Sequence, residues 1–189
     1  MTESPQADAQ DTGPRVTTPR EGQLHAGWDD KAAIDAPLRL HECVVPHAWV
    51  DYNHHMSESS FLLAFGDNAD AFFRYFGIDE EYRADGGSLF TAETHLHHLR
   101  EVMEGERLTF TLQILDVDAK RVHLVHEMYR EDGEVACTAE QLLLHVNTAE
   151  GRVSPMPDEL LRRLQMIRDT HRALPVPEYV GHVMGLPKR

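Results

Sequence analysis

No proline occurs between Pro46 and Pro155, although Pro5, Pro14, Pro19 and Pro37 lie before this window and Pro155, Pro157, Pro175, Pro177 and Pro187 close or follow it. Proline removes a backbone donor and breaks both helices and sheet ladders, so long hydrogen-bonded elements have their room inside the window. Residues 1 to about 36 are rich in Asp, Thr, Gln, Gly and Pro, too poor in apolar surface to offset chain entropy, and read as a mobile arm. The expected division is an arm over 1–36, one folded domain over 37–170 and a tail over 171–189.

One segment of the window has helical periodicity and the rest alternates. From Ser57 to Phe76, Phe61, Leu62, Phe65, Ala69, Phe72, Phe73 and Phe76 recur at spacings of three and four, opposite Asp67, Asn68, Asp70 and Arg74. This spacing predicts a helix of about five turns, with Ser57 as N-cap and Gly77 as its stop. Strands are expected near 38–46, 88–99, 106–117, 121–131 and 134–147. In the third, Leu108, Phe110, Leu112 and Ile114 alternate with Thr109, Thr111 and Gln113. Asp118-Ala119-Lys120 and Asp132-Gly133 are short turns, so the last three strands form an antiparallel meander. A second, short amphipathic helix is expected over 158–169. The fold class is α+β, an antiparallel sheet curled around one long apolar helix.

Against 18 basic side chains stand 32 acidic ones, a formal charge of −14. Such a balance argues against nucleic acid and anionic membranes as partners, and no apolar run approaches the roughly 20 residues of a membrane helix. No secretory leader is legible after Met1, and Cys43 and Cys137 read as free thiols in a reducing cytoplasm.

The most informative residues are Trp49-Val50-Asp51-Tyr52-Asn53-His54-His55-Met56, just ahead of the long helix. A carboxylate, a carboxamide and two imidazoles there set a base beside N–H groups able to stabilise an oxyanion, although Asx residues also simply organise turns. Asp51-Tyr52-Asn53-x-His55-Met56 followed by Phe61 resembles the signature of hotdog-fold acyl-CoA thioesterases of the 4-hydroxybenzoyl-CoA thioesterase type. The likeness continues through Phe90-Thr91-Ala92-Glu93-Thr94-His95-Leu96, Leu99-Arg100-Glu101-Val102 with Gly105-Glu106, and Ala139 to Val146. It is similar in combination to the thioesterase-like proteins of carnitine and betaine breakdown, whose substrate is betainyl-CoA.

The resemblance implies an acyl-CoA substrate, a homodimer or dimer of dimers, and no cofactor or metal. It makes Asp51 the base or nucleophile, with Asn53 and His55 shaping the turn and residues 55 to 58 supplying oxyanion donors. The sequence departs from it at His54, where glycine is usual, at Ser57, where asparagine is common, and at Phe61, where tyrosine is common. His54 is the reason a non-catalytic acyl-CoA-binding module stands as an alternative, beside hotdog hydratases and dehydratases. Trp49, Tyr52, Met56 and Phe61 are the expected acyl-site lining, the first two offering cation–π faces to a quaternary ammonium.

Glu93 is expected to share a strand face with Thr91, His95 and His97 and is a second candidate carboxylate, assisting Asp51 or remaining a solvated surface group. Glu140 reads as structural, in need of a His or Arg partner. Arg100, Lys120 and Arg121 are expected at neighbouring strand ends, where Arg100 and Arg121 would take the CoA phosphates.

Overall fold

The computed structural model describes residues 27–186. Strand β1 (Glu42–Val44) leads through a 3-10 turn at His47–Trp49 into helix α1 (Glu58–Phe76) and the short α2 (Glu80–Ala84). Strands β2 (Gly87–His98), β3 (Arg107–Val117), β4 (Arg121–Tyr129), β5 (Val135–Asn147) and β6 (Arg152–Val153) follow, then helix α3 (Asp158–His171). The antiparallel sheet has the order β1-β3-β4-β5-β2, with β6 on the end of β5. The expected helices and the meander β3-β4-β5 are found within a residue or two of the expected bounds. The first strand is shorter than expected, three residues preceded by a lone bridge from Leu38 to Leu112.

The concave face of the sheet holds α1 in two stretches. Phe61 and Phe65, in the first half, belong to a core with Val102, Leu108, Phe110, Met128 and Ala139. Phe72 and Phe76, in the second, join Leu112, Ile114, Leu124 and Leu143 together with Leu160, Leu164 and Ile167 of α3. Each such ring withdrawn from water contributes roughly 1.5–3 kcal/mol before entropy is charged against it, which is why this helix cannot sit on a sheet edge or in solvent. Gly77 ends α1 in the left-handed region at φ 115°, where a β-carbon would also lie 2.7 Å from the Arg163 guanidinium.

Ser57 precedes α1 as expected, but its hydroxyl shares a hydrogen bond with the Ser60 hydroxyl (2.9 Å) and caps no backbone N–H. Residues 1–26 of the expected arm lie outside the described residues. Residues 27–36 are packed: Trp28 meets Tyr75 edge-on (5.7 Å between centroids), Asp30 pairs with Arg162 (2.8 Å), and Ile34 lies against the core. The tail boundary at 171 also falls within structure, since buried His171 closes α3, its Nδ1 accepting from the Ile114 N–H (2.9 Å).

Candidate functional site

The Asp51 segment folds into a tight turn in front of α1. Asp51 Oδ1 accepts from the Asn53 N–H (2.8 Å), the His54 N–H donates to the Asp51 carbonyl (3.0 Å), and the Asp51 N–H donates to the His55 carbonyl (2.9 Å). The carboxylate thus does what Asx residues do in turns, while Oδ2 has no hydrogen-bond partner among the described residues. His54 stands at φ 63°, the one non-glycine residue with positive φ among the described residues. The position where the resemblance has glycine therefore takes a backbone that glycine adopts freely, and the imidazole is carried in a conformation that disfavours a β-carbon.

The turn is fastened to the loop between β2 and β3. Met56 N–H donates to the Val102 carbonyl (2.8 Å), His55 Nε2 lies 3.5 Å from Glu101 Oε2, and His47 Nδ1 lies 2.9 Å from Glu104 Oε2, an exposed contact that raises the His47 pKa. Between turn and loop opens a cleft of about 340 Å³ lined by His55, Met56, Glu58 and Phe61 on one side and His98, Leu99, Arg100 and Glu101 on the other. Phe61 and His98 meet edge to face across it, with centroids 4.9 Å apart. This corrects the expected donor set at residues 55 to 58. The Met56 N–H is taken by Val102, the Ser57 N–H by the Trp49 carbonyl (2.8 Å) and the Ser60 N–H by the Ser57 carbonyl (2.9 Å), which leaves the amides of His55, Glu58 and Ser59.

The expected lining divides. Met56 and Phe61 are buried beside the cleft, and Trp49 packs half-buried on the core below it. Tyr52 is 90% exposed, so no aromatic cage closes on it within one chain. Asn53 contributes its backbone N–H to the turn, while its side chain is exposed.

Glu93 is not brought to Asp51 within the chain. It pairs in register with Leu142, whose neighbour Leu143 points into the core, so Glu93 lies on the convex face of the sheet. There its carboxylate contacts His95 Nε2 (3.0 Å). Glu140, on the same face, has the histidine partner its position required: His123 Nε2 lies 2.8 Å from Oε1, and the Gly181 N–H donates to Oε2 (2.8 Å). Those two bonds outweigh burial and hold the Glu140 carboxyl below its ordinary range.

The arginine cluster is also corrected. The Arg100 N–H donates to Ala136 at one end of β5, whereas Arg121 faces Leu144 near the other end. Eight residues of strand separate them, about 26 Å. Arg100 borders the cleft, with Nε on Glu134 (3.0 Å); Arg121 is held by Asp118 (2.6 Å) on the far side. Burial pushes both thiols, Cys43 and Cys137, up to about 12, so neither is a nucleophile at neutral pH.

Residues that sequence reasoning did not place at the site are His98, Leu99 and Glu101. Leu99 and Glu101 belong to the family-like stretch Leu99-Arg100-Glu101-Val102, His98 stands directly before it, and the stretch's Gly105 at φ 78° is the available sign that the chain turns back there toward the Asp51 segment.

A sheet curled on one helix, with an Asp-containing turn at the helix start, defines a hotdog thioesterase-type protein. Residues 45–164 match the thioesterase-like superfamily, and the chain belongs to that family. It is 43% identical over 152 residues to the betainyl-CoA thioesterase of Pseudomonas aeruginosa, covering 79% of this chain and 96% of that one. It is 44% identical over 151 residues, 80% of its length, to the L-carnitine dehydrogenase/betainyl-CoA thioesterase of Agrobacterium fabrum. Of that protein it spans 31%, about a third. Its fold matches a Staphylococcus aureus protein solved in complex with CoA, with a TM-score of 0.74 and 26% identity over 82% of this chain and 100% of that one.

Proposed function

We propose that this chain hydrolyses an acyl-CoA thioester, with betainyl-CoA as the substrate, at the cleft between the Asp51 turn and the β2–β3 loop. The observation that carries the reading is the turn itself: a carboxylate with one free oxygen, held beside unspent amides at the start of a helix and opening on a cleft. The kinship with betainyl-CoA thioesterases names the acyl group. In the reaction Asp51 takes a proton from water, the hydroxide oxygen bonds to the thioester carbon, and the C–O double bond opens toward the amides of His55 and Glu58. The C–S bond then breaks, releasing the acid and the CoA thiolate, which takes up a proton. Asp51 as direct nucleophile leads to the same products through an anhydride.

Arg100 is the phosphate contact that borders this cleft; Arg121 is not part of it. The working unit is a homodimer joined through β2, whose outer edge has no partner strand among the described residues. The free thiols accord with a reducing, cytoplasmic setting. The test is thiol release from betainyl-CoA and a panel of acyl-CoAs, with Asp51→Asn beside the unaltered chain. A fall of about 10²–10⁴ in turnover, with binding kept, is expected from losing a positioned base. An undiminished variant overturns the role of Asp51, and CoA-ester binding without any thiol release favours the binding-module alternative.

A further inference from the structure

Residues 175–186 follow α3 and cross the convex face of the sheet. The Pro175 carbonyl accepts from Gln113 Nε2 on β3 (3.4 Å), and the Tyr179 hydroxyl donates to Glu127 Oε1 on β4 (3.3 Å). The Gly181 N–H then reaches Glu140 on β5, and the His182 ring meets His97 on β2 edge-on at 5.2 Å. The order β3, β4, β5, β2 is the order of strands in the sheet, so the segment travels steadily toward the free edge.

At that edge its polar anchoring ends and its apolar residues begin. Val183, Met184 and Leu186 are 84%, 92% and 94% exposed, three large apolar side chains in four residues. Val183 and Met184 stand at the rim of a cleft of about 560 Å³ on this face, which Glu93, His95 and Leu142 line toward the edge and Asp116, Asp118, Arg121 and His123 line across it, and both side chains remain uncovered. Next to the edge, on the same face, Phe90 is 55% exposed opposite half-buried Leu144. The chain therefore presents an apolar arm and an apolar patch, side by side, and does not join them. A long edge strand with an exposed phenylalanine is a surface that folded proteins ordinarily cover.

We propose that residues 183–186 are an exchange arm, docking on the convex face of a second copy across a β2–β2 seam. Each copy's Val183, Met184 and Leu186 cover the Phe90, Leu142 and Leu144 patch of the other. A two-fold axis normal to the sheet carries convex face onto convex face, so an arm leaving one copy on that face stays on it in the next. Four extended residues reach about 13 Å, and with strands about 4.8 Å apart this spans the partner's β2 and β5. Both contacts form twice, as an isologous interface requires. The inference rests on the dimer reading above and adds to it the segment that makes the dimer tight.

The test is sedimentation velocity over a concentration series on the full chain, a chain ending at His182, and the triple variant Val183→Asp, Met184→Asp, Leu186→Asp. The expected result is a dimer whose dissociation constant rises at least tenfold in both altered chains, with circular dichroism unchanged. A full-chain dimer with the same dissociation constant in all three overturns the arm and leaves the dimer standing. A full chain that stays monomeric at 100 μM, on the order of ordinary assay limits, overturns both.

Discussion

His126 should make the fold acid-sensitive by a calculable amount. It lies on the concave face of β4, fully buried; Asn68 Nδ2 donates to its Nδ1 (2.8 Å), and its Nε2 donates to Gln141 Oε1 (3.1 Å), so it is the neutral tautomer that fits. Burial depresses its pKa from 6.5 to about 4, against a smaller opposing pull from Gln141. Between those values the unfolded chain binds a proton that the folded chain refuses, so stability is fully present above about 6.5 and is lost as pH falls toward 4. The complete loss is about 3 kcal/mol at 1.36 kcal/mol per unit, and at pH 5 about 2 kcal/mol of it has already gone. Against a whole-domain stability of about 5–15 kcal/mol this is a large fraction. The assay is urea unfolding of the unaltered chain and His126→Gln at pH 7.5 and 5.0. Glutamine supplies an acceptor and a donor and stays neutral, and its imperfect fit subtracts equally at both pH values. His171, also depressed chiefly by burial, and His47, raised by Glu104, titrate in both proteins and cancel. The unaltered chain should lose about 2 kcal/mol more than the variant between the two pH values. Equal losses would refute the reasoning, because His126 would then be as free to protonate in the fold as out of it.

Two further outcomes follow from the cleft. Arg100→Ala should raise KM for a CoA ester several-fold, up to about tenfold for a lost charge-assisted phosphate contact, and flatten its salt dependence, while Arg121→Ala leaves both unchanged in steady-state assays at two ionic strengths. His54→Gly should raise the melting temperature by about 2–4 °C, since the left-handed strain relieved, about 1–2 kcal/mol, exceeds the added chain entropy of glycine, about 0.5–1 kcal/mol; a fall in thermal unfolding temperature would show that the imidazole makes contacts worth more than the strain.

The parts of the fold legible in the sequence are those set by one-dimensional periods. The phenylalanine spacing of α1 and the alternation of β3 each specify a face, and a face is enough to pair helix with sheet. His123 and His126 divide for the same reason: an odd spacing on a strand sends them to opposite faces, His123 to Glu140 and His126 into the core. What periodicity does not carry is where along a strand two ends meet. Arg100 and Arg121 are both next to strand ends in sequence, but an antiparallel meander places successive ends alternately at opposite edges, and β5 holds them apart. Glu93 shares its face with His95 as the alternation predicts, but not with Thr91: the bulge between Thr91 and Glu93 turns Thr91 to the side of core residue Leu143, and a bulge leaves no mark in a two-residue period. The packed residues 27–36 escaped notice because their apolar members, Trp28 and Ile34, are too few to show a period, though each finds a place against α1 or the core.

The charge of −14 bears on the site through its cations, and many of the arginines among the described residues are already paired by the fold. Arg74 is sealed between Asp70 (2.9 Å) and Glu80 (2.6 Å), and Arg130 binds Glu106 (2.7 Å). At these arginines a CoA phosphate must therefore exchange with a carboxylate. At Arg74 the exchange would strip a buried carboxylate of its partner, a loss of several kcal/mol. At Arg100 both members of the Glu134 pair are more than half exposed, and such a pair is worth only about 0–1 kcal/mol, so a phosphate dianion displaces Glu134 at little loss. The acidic surround then acts as a filter: it weakens long-range attraction of any polyanion, and leaves capture to the few ångströms around an exposed, exchangeable guanidinium beside the cleft. A cationic acyl group travels the other way in the same field, drawn toward the protein while its phosphates are not. For an ester that carries both, the field orients the molecule before it docks, ammonium inward and nucleotide outward, which is the order in which a cleft rimmed by Arg100 can receive it.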